Sequence, residues 1–223
     1  RLLQITNESI KRADPTAVVV LGGFTGEFED DKPINTEFVT RILKLGKDYF
    51  DVLDVHLYGT YETYQERIQW FKDEMDKNGY SKPIWSTELG GPDIRTCFTE
   101  TEWRSVVELV VGQNRLQLQS VMENNDCASV FYFSENDEKY YRMHAEELVK
   151  RYIHAFDAGI SKVFWWHLLA KHQYDPRSGY PQELIFSRMG LVAIKHDRNL
   201  TIDPEPLTAD DYFRTPGYYT YKL

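Results

Sequence analysis

Glu88 is the residue in this sequence best placed to do chemistry. It follows an apolar run, Pro83-Ile84-Trp85-Ser86-Thr87, and precedes Leu89-Gly90-Gly91-Pro92, where glycine and proline turn the backbone away. A carboxylate left facing a cleft at the end of such a strand can attack an anomeric carbon or accept a proton. The same position also suits a glutamate that caps the next helix or pairs with an arginine, so position alone leaves the choice open.

Two further groups stand at the ends of apolar runs. His56 and Tyr58 close the run Phe50-Asp51-Val52-Leu53-Asp54-Val55, and strand alternation turns both to one side, where they could hydrogen-bond a carboxylate or a hydroxylated ligand. A satisfied structural histidine is the commoner alternative. Trp165 and Trp166 close Ser161-Lys162-Val163-Phe164 and point to opposite faces, one toward a cleft and the other into packing. An indole offers a flat face to the C–H side of a sugar ring and an N–H to a hydroxyl.

Other chemistries find little support. His144, His167 and His172 lie on different elements without the Cys or Asp spacing of a metal site, so no metal is expected. No Gly-x-Ser-x-Gly elbow supports a serine hydrolase, and no G-x-G-x-x-G or P-loop supports a nucleotide cofactor, so no cofactor is expected. With 26 Lys+Arg against 35 Asp+Glu, a net charge of −9 and no basic stripe, neither nucleic acid nor an anionic membrane is an expected partner. The longest apolar runs, 17–21 and 163–166, fall far short of the roughly 20 residues that span a bilayer. Residues 1–5 lack the features of a signal peptide, and without an initiator Met the start is expected to be a processed or truncated boundary. Cys97 and Cys127 could pair, but two cysteines make no disulfide framework. Asn7-Glu8-Ser9 and Asn199-Leu200-Thr201 match the glycosylation sequon, a pattern too short to decide anything. The 15 Tyr, 12 Phe and 5 Trp fit either a thick core or a cleft lined with flat faces.

The elements that must carry these groups alternate. Leu2, Leu3, Ile5, Ile10 and Ala13 predict a helix ended by Asp14-Pro15, since proline disfavours helical backbone in the residue before it. Ala17-Val18-Val19-Val20-Leu21, closed by Gly22-Gly23, predicts a strand buried on both faces. A helix over 38–49, a strand over 50–57, a helix over 64–78 ended by Gly79, and a strand over 82–87 follow. A long helix over about 138–158, stopped by Gly159, leads to a fourth strand over 161–166. The first two strand-to-strand intervals are about 30 residues, the length of a βαβ unit. The third is longer by roughly 45, which predicts an insertion over about 93–137 holding one helix at 100–122 and an apolar run at 128–133. Residues 218–221 read as the opening of a last helix. This is an α/β chain of the (β/α)8 TIM-barrel type, but a closed barrel has eight strands in about 250 residues, so the chain holds only half of one.

The order of these motifs resembles the C-terminal half of a clan A glycoside hydrolase, of the family five and family thirty-nine type. The resemblance rests on five segments: Ile10-Lys11-Arg12-Ala13-Asp14-Pro15, Val18-Val19-Val20-Leu21-Gly22-Gly23, Phe50 through the Val55-His56-Leu57-Tyr58 strand end, Pro83-Ile84-Trp85-Ser86-Thr87-Glu88-Leu89-Gly90, and Lys162-Val163-Phe164-Trp165-Trp166. They look like strands five to eight, with residues 216–223 similar to the start of helix eight, so nearly the whole of 1–223 except the insertion is covered. The resemblance implies a retaining double displacement on a carbohydrate substrate. It implies Glu88 as nucleophile, His56 and Tyr58 around it, and Trp165 or Trp166 as the sugar platform.

Such families place the acid/base in an Asn-Glu pair after strand four. Asn7-Glu8 does not fit, because Glu8 lies inside the helix that ends at Asp14-Pro15, leaving no room for the helix that should follow strand four. The acid/base is therefore expected upstream of Arg1, and the chain alone is expected to lack half of the catalytic pair. Its partner would be the missing N-terminal half of the barrel or a second copy of the chain. The competing expectation is a non-catalytic carbohydrate-binding or assembly half-barrel; an unrelated barrel such as a lyase lacks its usual strand-end lysine.

Overall fold

A computed structural model describes residues 1–25, 28–29, 32–33, 35–133, 136–170, 179–194 and 212–221. Its residues form two compact units, Arg1–Leu89 with Arg151–Trp165, and Gly90–Lys150 with Trp166–Leu223. Among the described residues no helix is long and apolar enough to cross a membrane.

The first unit is mixed α/β. Helix α1 (Leu2–Ala13) leads to β1 (Val20–Thr25), a short hairpin of β2 (Phe28–Glu29) and β3 (Lys32–Pro33), α2 (Thr36–Gly46), β4 (Val52–His56), α3 (Tyr64–Lys77) and β5 (Ile84–Leu89). The last turns of α7 (Asp137–Asp157) and β6 (Lys162–Trp165) complete it. Strands β1, β4, β5 and β6 form a four-stranded sheet in that order, every neighbour parallel. Sequential parallel strands need crossovers, and α2 and α3 supply the first two.

The chain ends its elements where its composition dictates. Asp14, before proline, takes extended backbone and closes α1. Gly79 and Gly159 follow α3 and α7 in the left-handed region, where Tyr80 and Ile160 then donate back to the carbonyls of Met75 and Ala155. Val19, Leu21, Leu53, Val55 and Ile84 pack with Val39, Leu43, Ile68, Phe71, Met75 and Ala155 into one core between the sheet and its helices.

One expectation is overturned here. The run 17–21, of which only Val20 and Leu21 lie in β1, is not buried on both faces: Val19 and Leu21 are covered, whereas Val18 and Val20 are 54% and 37% exposed. The physical reason is that β1 is an edge strand with its helical cover on one side. At the other edge, β6 alternates in the same way, with Phe164 exposed and Trp165 packed on the core.

The second unit is built from helices and a small sheet. A 3-10 turn (Ile94–Cys97) precedes α4 (Glu100–Val111), α5 (Arg115–Glu123), α6 (Asp126–Tyr132) and most of α7. Then come β7 (Leu169–Ala170), α8 (Pro181–Phe186), β8 (Val192–Ile194), β9 (Tyr212–Arg214) and α9 (Pro216–Tyr221). The single helix expected over 100–122 is two, because Gly112 ends α4, Gln113 takes φ 52°, and Asn114 caps α5 by accepting from the Gln117 N–H. Residues 128–133 lie mostly in helix α6, capped by Asn125, which accepts from the N–H groups of Cys127 and Ala128. Cys97 and Cys127 form a disulfide between the 3-10 turn and α6. Arg188 is buried over the Tyr140 ring, donating to the carbonyls of Val130 and Phe131 and, at 2.5 Å, to Asp137. Those contacts give Tyr140 a structural place.

Candidate active site

In the first unit the C-terminal ends of β4 and β5 bring Glu88, His56 and Tyr58 together. The Tyr58 hydroxyl donates to Glu88 Oε2 at 2.8 Å, and His56 Nδ1 lies 3.2 Å from the same oxygen, close but not aligned as a hydrogen bond. Glu88 Oε1 has no partner among the described residues, and the side chain is 28% exposed. One oxygen is thus held by its neighbours while the other stays open.

Strict alternation would send Thr87 and Glu88 to opposite faces of β5. The pairing with β6 passes from Ser86↔Val163 to Leu89↔Trp165, so β5 carries one extra residue there. Such a bulge re-aims a side chain, and here it lets the Glu88 carboxylate join the face that carries Asp54 and His56. A second bulge lies across β4: the β1 register passes from Leu21↔Leu53 to Phe24↔Val55, with Gly22 and Gly23 inside it.

These glycines admit the site. A Cβ on Gly22 would lie 2.6 Å from the Asp54 carbonyl oxygen, and its φ of 137° is one only glycine holds without strain. A Cβ on Gly23 would overlap the imidazole of His56 outright.

Asp54 and Thr87 are site residues that the sequence analysis did not single out. Asp54, 4% exposed, accepts from the Thr87 N–H at 2.8 Å through Oδ1 and from the Thr87 hydroxyl at 2.6 Å through Oδ2. Its Oδ2 also lies 3.4 Å from His56 Nε2. Burial pushes the Asp54 carboxyl up, but donation from His56 and from the hydroxyl and N–H of Thr87 outweighs it and holds the group below its ordinary 3.8. With both oxygens accepting from Thr87 and the carboxyl held low, Asp54 serves as an acceptor in this site. The signal for it was present: an ionisable residue two positions before His56, on the same face of an otherwise apolar strand.

Helix α3 steadies the loop beyond β4. Tyr64 donates to the Leu57 carbonyl at 3.2 Å, Arg67 to the Tyr58 carbonyl at 3.0 Å, and buried Arg151 to the Tyr64 hydroxyl at 2.7 Å. The Leu57 N–H in turn donates to the Glu88 carbonyl at 2.8 Å, tying the two strand ends together.

The remaining candidates lie elsewhere. Trp165 stacks on Tyr152 at 6.3 Å and packs on the core, whereas Trp166, the first residue of the second unit's latter segment, is 40% exposed. Glu8 is exposed within α1 and accepts from Gln4. His144 and His167 pair with the backbone carbonyls of Met189 and Phe186, each at 3.0 Å, as structural histidines do. His172 and the sequon at Asn199 fall outside the described residues, among which no His, Cys, Asp or Glu cluster suits a metal. A pocket at the opposite end of the sheet, beside Lys72, Lys82 and Gly159, has its lysines committed to the carbonyls of Ala158, Lys47 and Phe50.

Comparison of the chain with family models, with curated proteins and with solved structures finds no match.

Proposed function

We propose that this chain is the nucleophile-bearing half of a (β/α)8 glycoside hydrolase that cleaves a β-linked glycan or glycoside with retention. The observation that carries the reading is the state of Glu88. Its carboxylate stands at a strand end with Oε2 held by the Tyr58 hydroxyl, His56 beside it, and Oε1 without a partner among the described residues. In the first step Oε1 would bond to the anomeric carbon as the glycosidic C–O bond breaks, and an acid/base outside residues 1–223 would protonate the departing oxygen. Water would then attack the same carbon, give its proton to that base, and release Glu88. The resemblance of motif order supplies the sugar chemistry.

The barrel reading is supported by the edges of the sheet. Among the described residues β1 and β6 each pair with one neighbour only and end the sheet, leaving room at both edges for further strands. The same edges also suit a second copy of the chain, which is what the alternative, a non-catalytic carbohydrate-binding half-barrel, would need. The unengaged oxygen of Glu88 favours the enzyme.

The test is E88Q in the full-length protein. Turnover should vanish, and an activated 2-fluoro glycoside should label Glu88 covalently in the wild type. Near-normal hydrolysis by E88Q, or a label on another residue, overturns the reading.

A further inference from the structure

We infer that Asp54 is a positioning residue for Glu88: together with Thr87 it holds a hydrogen on Nε2 of His56 and so fixes the ring whose Nδ1 edge faces the Glu88 carboxylate. The role given to Glu88 rests on the function proposed above.

Thr87 has one hydroxyl proton, and at 2.6 Å it points to Asp54 Oδ2; its N–H is taken by Oδ1. The Thr87 oxygen is therefore left as an acceptor toward the ring. Asp54, held below its ordinary range by these donors despite burial, is acceptor-only as well. Nε2 of His56 faces both, at 3.3 Å from Thr87 Oγ1 and 3.4 Å from Asp54 Oδ2. A bare lone pair there would oppose two oxygens in a buried place, so Nε2 carries a hydrogen shared between them.

That leaves Nδ1, buried and 3.2 Å from Glu88 Oε2. With Nε2 fixed against Asp54 and Thr87, the ring plane is set, and with it the edge that Nδ1 turns toward the Glu88 carboxylate. The groups around the ring are Asp54 on β4, Thr87 and Glu88 on β5, the Tyr58 hydroxyl reaching the same Oε2, and the bare backbone of Gly23 on β1.

The experiment uses full-length protein labelled with 15N in histidine, with His56 assigned from its absence in H56Q. In the wild type at neutral pH, Nε2 should show the shift of a protonated nitrogen. In D54N the preference for Nε2–H should be lost. On the 4-nitrophenyl β-glycoside that the wild type hydrolyses best, kcat should fall on the order of 10²-fold, as for a misoriented group, with KM little changed. A wild-type ring that carries its lone proton on Nδ1, or a D54N protein with unchanged nitrogen shifts and kcat, overturns the inference. If D54N does not fold, the wild-type spectrum decides it. The spectra need no turnover: normal hydrolysis by E88Q would remove the glycosidase reading while leaving the tautomer lock to stand or fall by its own signals.

Discussion

Gly23 and His56 approach so closely across β1 and β4 that a methyl group on the glycine would lie 2.0 Å from Nε2 of the imidazole. The ring has no room to retreat, because Asp54 and Thr87 lie beside Nε2 and Glu88 beside Nδ1. Glycine at 23 is thus part of the seat of the histidine, although it has no side chain to offer a ligand.

G23A should therefore act at a distance on Glu88. The added carbon must push the imidazole out of its seat or the two strands apart, at a cost of about 1–3 kcal/mol, as overpacking does. The expected result is a lower thermal midpoint together with a reduced kcat. A variant with wild-type midpoint and turnover would show that the ring has another place to go.

Y58F tests the donor on Oε2 by itself. The phenolic hydroxyl gives a 2.8 Å hydrogen bond to a carboxylate, and bonds to charged groups are worth about 1.5–3 kcal/mol. If the bond holds Glu88 through the transition state, kcat/KM should fall by about 10- to 100-fold. The rate of covalent labelling by an activated 2-fluoro glycoside should fall with it. Unchanged labelling would mean that the hydroxyl only fills space.

Much of this arrangement could be read in the sequence because it depends on local pattern. The helix-ending roles of Pro15, Gly79 and Gly159 follow from backbone preferences of single residues, and each appears where the sequence places it. His56, Tyr58 and Glu88 converge because strand ends in a parallel sheet share one side. What could not be read depends on register between strands. The extra residue of β5 before Leu89 and the one at Gly22-Gly23 exist only relative to β6 and β4, and alternation within β5 alone would have separated Glu88 from Thr87. Asp54 passed unnoticed for a related reason, since its worth lies in Thr87, a partner 33 positions away. The exposure of Val18 and Val20 was hidden because a run of β-branched residues reads alike on central and edge strands.

In the second unit, the Cys97–Cys127 disulfide closes a separation of 30 residues. Chain-entropy arguments assign a loop of that size about 3–4 kcal/mol, gained by restricting the unfolded chain. Under a thiol reductant, denaturant unfolding of this unit should shift to lower midpoint, and C97A/C127A should match the reduced wild type. The Glu88 site lies in the other unit, so the label on Glu88 should survive reduction. Equal midpoints with and without reductant would show that the bond contributes nothing to folding.

Acid stability offers a separate view of Asp54. Its carboxyl is held below 3.8, burial raising it and the donors His56 and Thr87 lowering it by more. For a group whose folded value is depressed, the folded state binds the proton more weakly than the unfolded state. The stability it contributes is therefore fully present above the unfolded value and is lost as the pH falls through the folded one. D54N removes that contribution at neutral pH but can remove nothing once the wild-type carboxyl is protonated. The gap in unfolding free energy between wild type and D54N should thus be widest above about pH 5, shrink as the pH drops below 3.8, and be smallest in strong acid. Urea unfolding at a series of pH values reads this directly. A gap independent of pH would mean that Asp54 stabilises the fold by shape and neutral hydrogen bonding, with its charge playing no part.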